Sequence, residues 1–130
     1  MPDPARPLTG HCILVVEDEY LIAMDLKRWL SEAGATVTGP VPSVDQALDL
    51  IDDGGLTAAV LDVNLGDGST IYPLAARLGD LGVPYLFATG DVKASDADAY
   101  SSRPRLTKPY LEAELVRAVV ELIAGPAPTW

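Results

Sequence analysis

Leu56-Thr57-Ala58-Ala59-Val60-Leu61-Asp62-Val63-Asn64-Leu65 decides the fold. From Thr57 to Leu61 every residue is apolar or small, and Asp53-Gly54-Gly55 punctuates the chain just upstream. A short run of that kind, bounded by turn residues, reads as a strand buried in a parallel sheet. Asp62 closes the run, where the strand leaves the core and meets water. An isolated charge there is costly unless a cation or hydrogen-bond donors meet it. The function therefore rests on what else converges on Asp62.

Working upstream, Cys12-Ile13-Leu14-Val15-Val16 reads as another buried strand, ending in Glu17-Asp18-Glu19. Ile22, Leu26, Trp29, Leu30 and Ala33 then recur at helical spacing, with Gly34 as the stop. Leu21 and Met24 fall off that face. Thr36-Val37-Thr38-Gly39 is a short strand, turned by Pro40 and Pro42. Ser43 caps a helix carrying Val44, Ala47, Leu48 and Ile51.

Downstream of Asp62, Gly66-Asp67-Gly68-Ser69 is a loop. Pro73 fits only the first turn of a helix that continues through Leu74, Ala75 and Leu78. Val83-Pro84-Tyr85-Leu86-Phe87-Ala88 is a fourth strand leading into Thr89-Gly90-Asp91. Asp91 to Ser102, rich in Asp, Ala and Ser, predicts a short, marginal helix of enhanced mobility. Arg103 to Thr107 is a weak edge strand with a proline. Lys108-Pro109 opens the last helix, Tyr110 to Ala124, which Gly125-Pro126-Ala127-Pro128 ends.

The domain reading is a flexible proline-rich tail over residues 1–10, one domain over 11–124 and a C-terminal tail over 125–130. Strands alternating with helices predict an α/β domain, a doubly wound five-stranded parallel sheet flanked by about five helices. Ligands in such sheets bind beyond the carboxyl ends of the strands, where strand order reverses.

Composition narrows the function classes. With 130 residues the chain is one domain's length, and its 48% hydrophobic content suits a packed globule. A net charge of −10 argues against nucleic acid as a partner, because phosphate backbones need clustered Lys and Arg. Cys12 is the single cysteine, which excludes an intrachain disulfide and suits a reducing cytoplasm. No apolar stretch approaches the ~18 residues of a membrane span, and Met1 to Gly10 lacks the apolar core of a signal peptide.

Glu17 and Asp18 end the first strand, Asp62 the third and Thr89 the fourth, and Lys108 follows the fifth. Crowded carboxylates repel unless a cation intervenes, and hard divalent ions such as Mg²⁺ take oxygen ligands. Thr89 offers a hydroxyl and Lys108 an ammonium, both suited to phosphate oxygens. A carboxylate can attack phosphorus to form an aspartyl-phosphate while metal and lysine offset the developing charge. Each motif alone has an ordinary reading: a solvated acid pair, a turn at Thr89-Gly90, a helix start at Lys108-Pro109. Their joint placement at strand ends carries the functional one.

The pattern Val16-Glu17-Asp18-Glu19, Leu61-Asp62-Val63-Asn64, Ala88-Thr89-Gly90 and Lys108-Pro109 resembles the receiver domain of two-component response regulators, over roughly Cys12 to Ala124. The resemblance implies the strand order 2-1-3-4-5, given in general terms for a chemotaxis receiver. It implies Asp62 as phosphoacceptor and Mg²⁺ held by Asp18, Asp62 and the backbone carbonyl of Asn64, with Glu17 acting mostly through water. Thr89 and Lys108 would bond the phosphoryl group, and Asn64 and Asp91 would modulate its lifetime. Two positions depart from the common pattern. Arg105 stands where an aromatic switch residue is usual, and Gly66 replaces a proline. With Tyr72-Pro73-Leu74-Ala75 and Phe87-Ala88-Thr89-Gly90, these features resemble the FAT GUY subfamily, free-standing receivers tied to HWE or related histidine kinases. With Arg105 there, ordering of Asp91 to Ser102 on phosphorylation is the expected switch.

The implied protein is a cytoplasmic single-domain response regulator. It takes a phosphoryl group from a histidine kinase or phosphotransfer protein and signals by binding, or drains phosphoryl groups as a sink. It is no enzyme beyond its own phosphorylation and dephosphorylation. One alternative is a receiver-like module that binds without phosphorylation. Another is a haloacid-dehalogenase-like phosphatase, which needs a second Asp where Asn64 stands and a cap with no room here. The last helix carries two apolar stripes, Leu111, Leu115, Ala118, Val119 and Leu122 beside Val116, Val120 and Ile123. That arc is wider than one sheet face requires and is read as a homodimer or partner surface.

Overall fold

In the computed structural model, the residues described are 6–52, 54–62, 71–89 and 105–125. Five strands, β1 (Cys12–Val16), β2 (Thr36–Val41), β3 (Ala58–Asp62), β4 (Tyr85–Thr89) and β5 (Arg105–Thr107), form one sheet. All neighbours are parallel, in the order β2-β1-β3-β4-β5. Four helices flank it among the described residues: α1 (Tyr20–Glu32), α2 (Val44–Ile51), α3 (Tyr72–Asp80) and α4 (Glu112–Ala124). The doubly wound sheet is as expected from the sequence. The helix expected within Asp91 to Ser102 lies outside the described residues.

Alternation along the central strands builds two cores. Leu14, Val16, Ala59, Leu61, Tyr85 and Phe87 face α2 and α3. Ile13, Val15, Ala58, Val60, Leu86 and Ala88 face α1 and α4. Because both faces are covered, β3 is buried at every position, the physical meaning of its unbroken apolar run. Ser43 caps α2 by accepting the Gln46 N–H at 3.3 Å, and Pro73 sits in the first turn of α3.

Three sequence expectations are corrected. Within the stretch read as a tail, Leu8 is 1% exposed and its N–H donates to the Ala33 carbonyl at 2.8 Å. One apolar residue among prolines suffices to dock the segment beneath α1. β2 runs through Gly39 and Pro40 to Val41 instead of turning there. It is an edge strand, where a missing N–H is tolerated, and its register with β1 shifts between Leu14 and Val16. Helix α4 starts at Glu112, because Leu111 is extended and caps the helix, its N–H donating to Glu114 Oε1 at 2.9 Å.

Gly39 holds that shift. Its φ is +91°, and an added Cβ would lie 2.9 Å from both the Val15 carbonyl oxygen and the Val41 nitrogen. Gly39→Ala is expected to cost about 1–3 kcal/mol in urea unfolding, since backbone atoms on both sides would have to move.

Candidate functional site

Parallel strands place all their carboxyl ends on one edge of the sheet. The order reverses between β1 and β3, which leave the core side by side there. Glu17 follows β1 and Asp62 ends β3, and each is only 2% exposed. Asp18 is half-buried beside them. One carboxylate oxygen from each of Glu17, Asp18 and Asp62 lies within 4.8 Å of the other two.

Lys108, in the turn between β5 and α4, reaches into this cluster. Its Nζ lies 2.9 Å from Glu17 Oε1 and 3.5 Å from Asp62 Oδ1, with the side chain 16% exposed. The approach to Glu17 is close but off-axis, so Oε1 has its charge opposed without an aligned hydrogen-bond donor among the described residues. Glu17 Oε2 accepts the Glu19 N–H at 3.2 Å, which fixes the carboxylate at the head of α1. Three crowded carboxylates facing one lysine leave net negative charge at a largely buried site. A divalent cation with oxygen preference fits that donor set, and Glu17, Asp18 and Asp62 are the side chains that would hold it.

Burial alone would lower the Lys108 pKa. The Glu17 contact, with the fields of Asp62, Glu17 and Glu19, outweighs burial and holds the pKa above the ordinary lysine value. Tyr110, two residues on, has its phenol pushed well up by burial and then by the fields of Glu17, Asp62 and Asp25. Its hydroxyl is buried and has no hydrogen-bond partner among the described residues.

Both groups carry folded pKa values above their unfolded ones. The stability they contribute is present below the unfolded values and lost as pH rises through them toward the folded values. Urea midpoints are therefore expected to hold up to about pH 9.5 and to fall as pH rises through about 10–10.5 and beyond. Tyr110→Phe should flatten that fall while leaving neutral-pH stability equal or higher, because it deletes an unsatisfied buried hydroxyl. An unchanged slope in the variant would contradict this.

Thr89 ends β4 and pairs with Thr107, so its backbone stands at the same sheet edge as Asp62. Arg105 opens β5 opposite Phe87. The side chains of Thr89 and Arg105, and the whole of Asn64 and Asp91, lie outside the described residues. Glu17, Asp18, Asp62 and Lys108 are thus brought together as the sequence suggested. Sequence reading gave no role to Tyr110, which it took as a helix residue, or to Glu19. Their spacing from Lys108 and Asp18 was the available signal.

No protein-family profile and no curated protein sequence matches the chain. Solved structures do. SdrG from Sphingomonas melonis Fr1 is 40% identical, with 90% of this chain and 98% of that chain covered at a TM-score of 0.77. The BeF3-activated conformation of SdrG, assigned to Pseudomonas melonis Fr1, is 39% identical, covering 92% and 100% at 0.71. A response regulator receiver protein from Sinorhizobium medicae WSM419 is 26% identical, covering 88% and 95% at 0.75. Fold, acidic cluster and identity together define the class: the chain belongs to the receiver domains of response regulators. No helix among the described residues is long and apolar enough to cross a membrane.

Proposed function

We propose that this protein is a single-domain response regulator that accepts a phosphoryl group on Asp62 from a histidine kinase or phosphotransfer protein. The observation carrying the reading is the convergence of Glu17, Asp18 and Lys108 on Asp62, a buried carboxylate at the carboxyl edge of the sheet. An Asp62 oxygen attacks phosphorus, and the bond from phosphorus to the donor breaks with its electron pair leaving on the donor. Lys108 turns from Glu17 to a phosphoryl oxygen, and the Thr89 hydroxyl bonds another. Glu17, Asp18, Asp62 and the Asn64 carbonyl are the groups that would hold Mg²⁺, and the ion would neutralise charge on the transferring group. Asp91 and Arg105 tune the phosphoryl lifetime and the switch.

The match to SdrG over nearly its whole solved chain supports the single-domain reading, and its BeF3-activated form shows that a phosphoryl mimic acts on that relative. The Phe87-Ala88-Thr89-Gly90 motif supports a FAT GUY receiver partnered with an HWE-type or related kinase in the cytoplasm. Along α4, the half-buried Val116, Val120 and Ile123 are the surface offered to a second copy. Sedimentation of a strictly monomeric species, with and without beryllofluoride, would remove the dimer.

The test is intact mass and Phos-tag mobility after incubation with a small phosphodonor. A labile gain of about 80 Da that requires Mg²⁺ is expected, as for an aspartyl-phosphate. No gain, even from a phosphorylated kinase, would leave a module that binds without phosphorylation.

A further inference from the structure

Among the described residues, two buried side-chain atoms lack a hydrogen-bond partner: Glu17 Oε1 and the Tyr110 hydroxyl. One is an acceptor and the other can donate, and both are sealed from water, where an unmade hydrogen bond is costly. Lys108 links them. Its Nζ lies 2.9 Å from Glu17 Oε1, and Tyr110 follows it by two positions in the segment between β5 and α4.

The surroundings of the phenol select its acceptor. The carboxylates whose fields reach it are, in order of effect, Glu17, Asp62 and Asp25. Asp25 lies at the surface, 43% exposed, and pairs with Arg28 at 2.9 Å. Asp62 is the group that takes phosphorus in the function proposed for this site. Glu17 remains, buried and with Oε1 open. Burial and the same carboxylates keep the phenol protonated through neutral pH, so it is available as a donor. Its ring stands edge to face with Trp29, centroids 6.4 Å apart, which limits where the hydroxyl can point.

Lys108 opposes the Glu17 charge only while it stays there. When it turns to a phosphoryl oxygen, Glu17 keeps its charge at 2% exposure and loses that cation. Glu17 Oε2 already accepts the Glu19 N–H, so the unmet demand falls on Oε1.

We propose, resting on phosphoryl transfer to Asp62, that the Tyr110 hydroxyl donates to Glu17 Oε1 when Lys108 leaves it. Tyr110 is then a positioning residue for the phosphoryl-bound state: it holds the Glu17 carboxylate in place and lowers the cost of releasing Lys108. Without the phosphoryl group the same hydroxyl is unmet, so the contact favours one state over the other.

Urea unfolding in the Asp62→Ala background reads this contact with no phosphoacceptor and no Mg²⁺. Removing Asp62 relieves the crowding of carboxylates, so Lys108→Met can be added to it. With Lys108 present, Tyr110→Phe should leave the folding equilibrium constant equal or higher. With Lys108→Met, Tyr110→Phe should lower it at least about tenfold, since a hydrogen bond to a buried charge is lost. A purely packing role would act alike in both backgrounds, and that result overturns the proposal. In a second arm, beryllofluoride is titrated in saturating Mg²⁺ onto the protein with Asp62 and Lys108 intact. Tyr110→Phe should weaken its binding at least about fivefold and leave Mg²⁺ affinity without beryllofluoride unchanged. Equal beryllofluoride affinity in the variant also overturns the proposal. Failure of the wild type to take up beryllofluoride would count against the phosphoryl reading, and the unfolding cycle would still decide whether Tyr110 replaces Lys108 at Glu17.

Discussion

Lys108→Met is expected to destabilise the metal-free domain by about 3–5 kcal/mol, the range for removing one partner of a buried charge pair. Glu17 and Asp62 are nearly sealed from water, and Lys108 is the cation that the described residues bring to them. Without it, two carboxylates face each other and Asp18 with no compensating charge. Glu17→Gln in the Lys108→Met background should recover most of the loss, because an amide leaves no uncompensated charge on that side. Mg²⁺ should recover part of it by replacing one cation with another. Urea unfolding of the two variants with and without Mg²⁺ checks both statements. A loss below about 1 kcal/mol, typical of exposed pairs, would mean that water screens the cluster and the burial argument is wrong.

Asp62→Ala should behave in the opposite sense. It removes one of three crowded carboxylates and leaves Lys108 on Glu17, so its cost in the metal-free state should be much smaller than that of Lys108→Met. Its functional effect should be total: no phosphoryl uptake above background from any donor. Mg²⁺ at about ten times its dissociation constant should stabilise the wild type by about 1.4 kcal/mol, and Asp62→Ala should lose that gain. Thermal denaturation across a Mg²⁺ series measures it. A variant that keeps the full gain would place the metal away from Asp62.

The legible parts of the fold are those where local pattern and tertiary environment agree. The unbroken apolar runs ending at Val16 and Leu61 state that both sheet faces are covered, and α1 to α4 cover them. Glu17, Asp18, Asp62 and Lys108 were legible as a site because parallel strands bring distant carboxyl ends to one edge. Where reading failed, the deciding contact lies far along the chain. Pro40 signals a turn locally, and only the edge position of β2 permits it inside a strand. Leu8 is one apolar residue in a polar, proline-rich stretch, and its burial depends on Ala33. Leu111 fits the apolar stripe of α4 by spacing, yet it precedes the helix and is 70% exposed. Tyr110 reads as the first residue of the last helix, and the hydroxyl left beside the acidic cluster appears only once β5 and α1 are placed.

The claim that Asp62 takes the phosphoryl group is tested most directly by trapping. The protein would be incubated with Mg²⁺ and a small phosphodonor, reduced with borohydride, which converts an aspartyl-phosphate to homoserine, and mapped by peptide mass spectrometry. Homoserine at position 62 alone, dependent on Mg²⁺ and donor, is the predicted result. Homoserine at Asp18 or elsewhere, or none despite a labile mass gain, would contradict it.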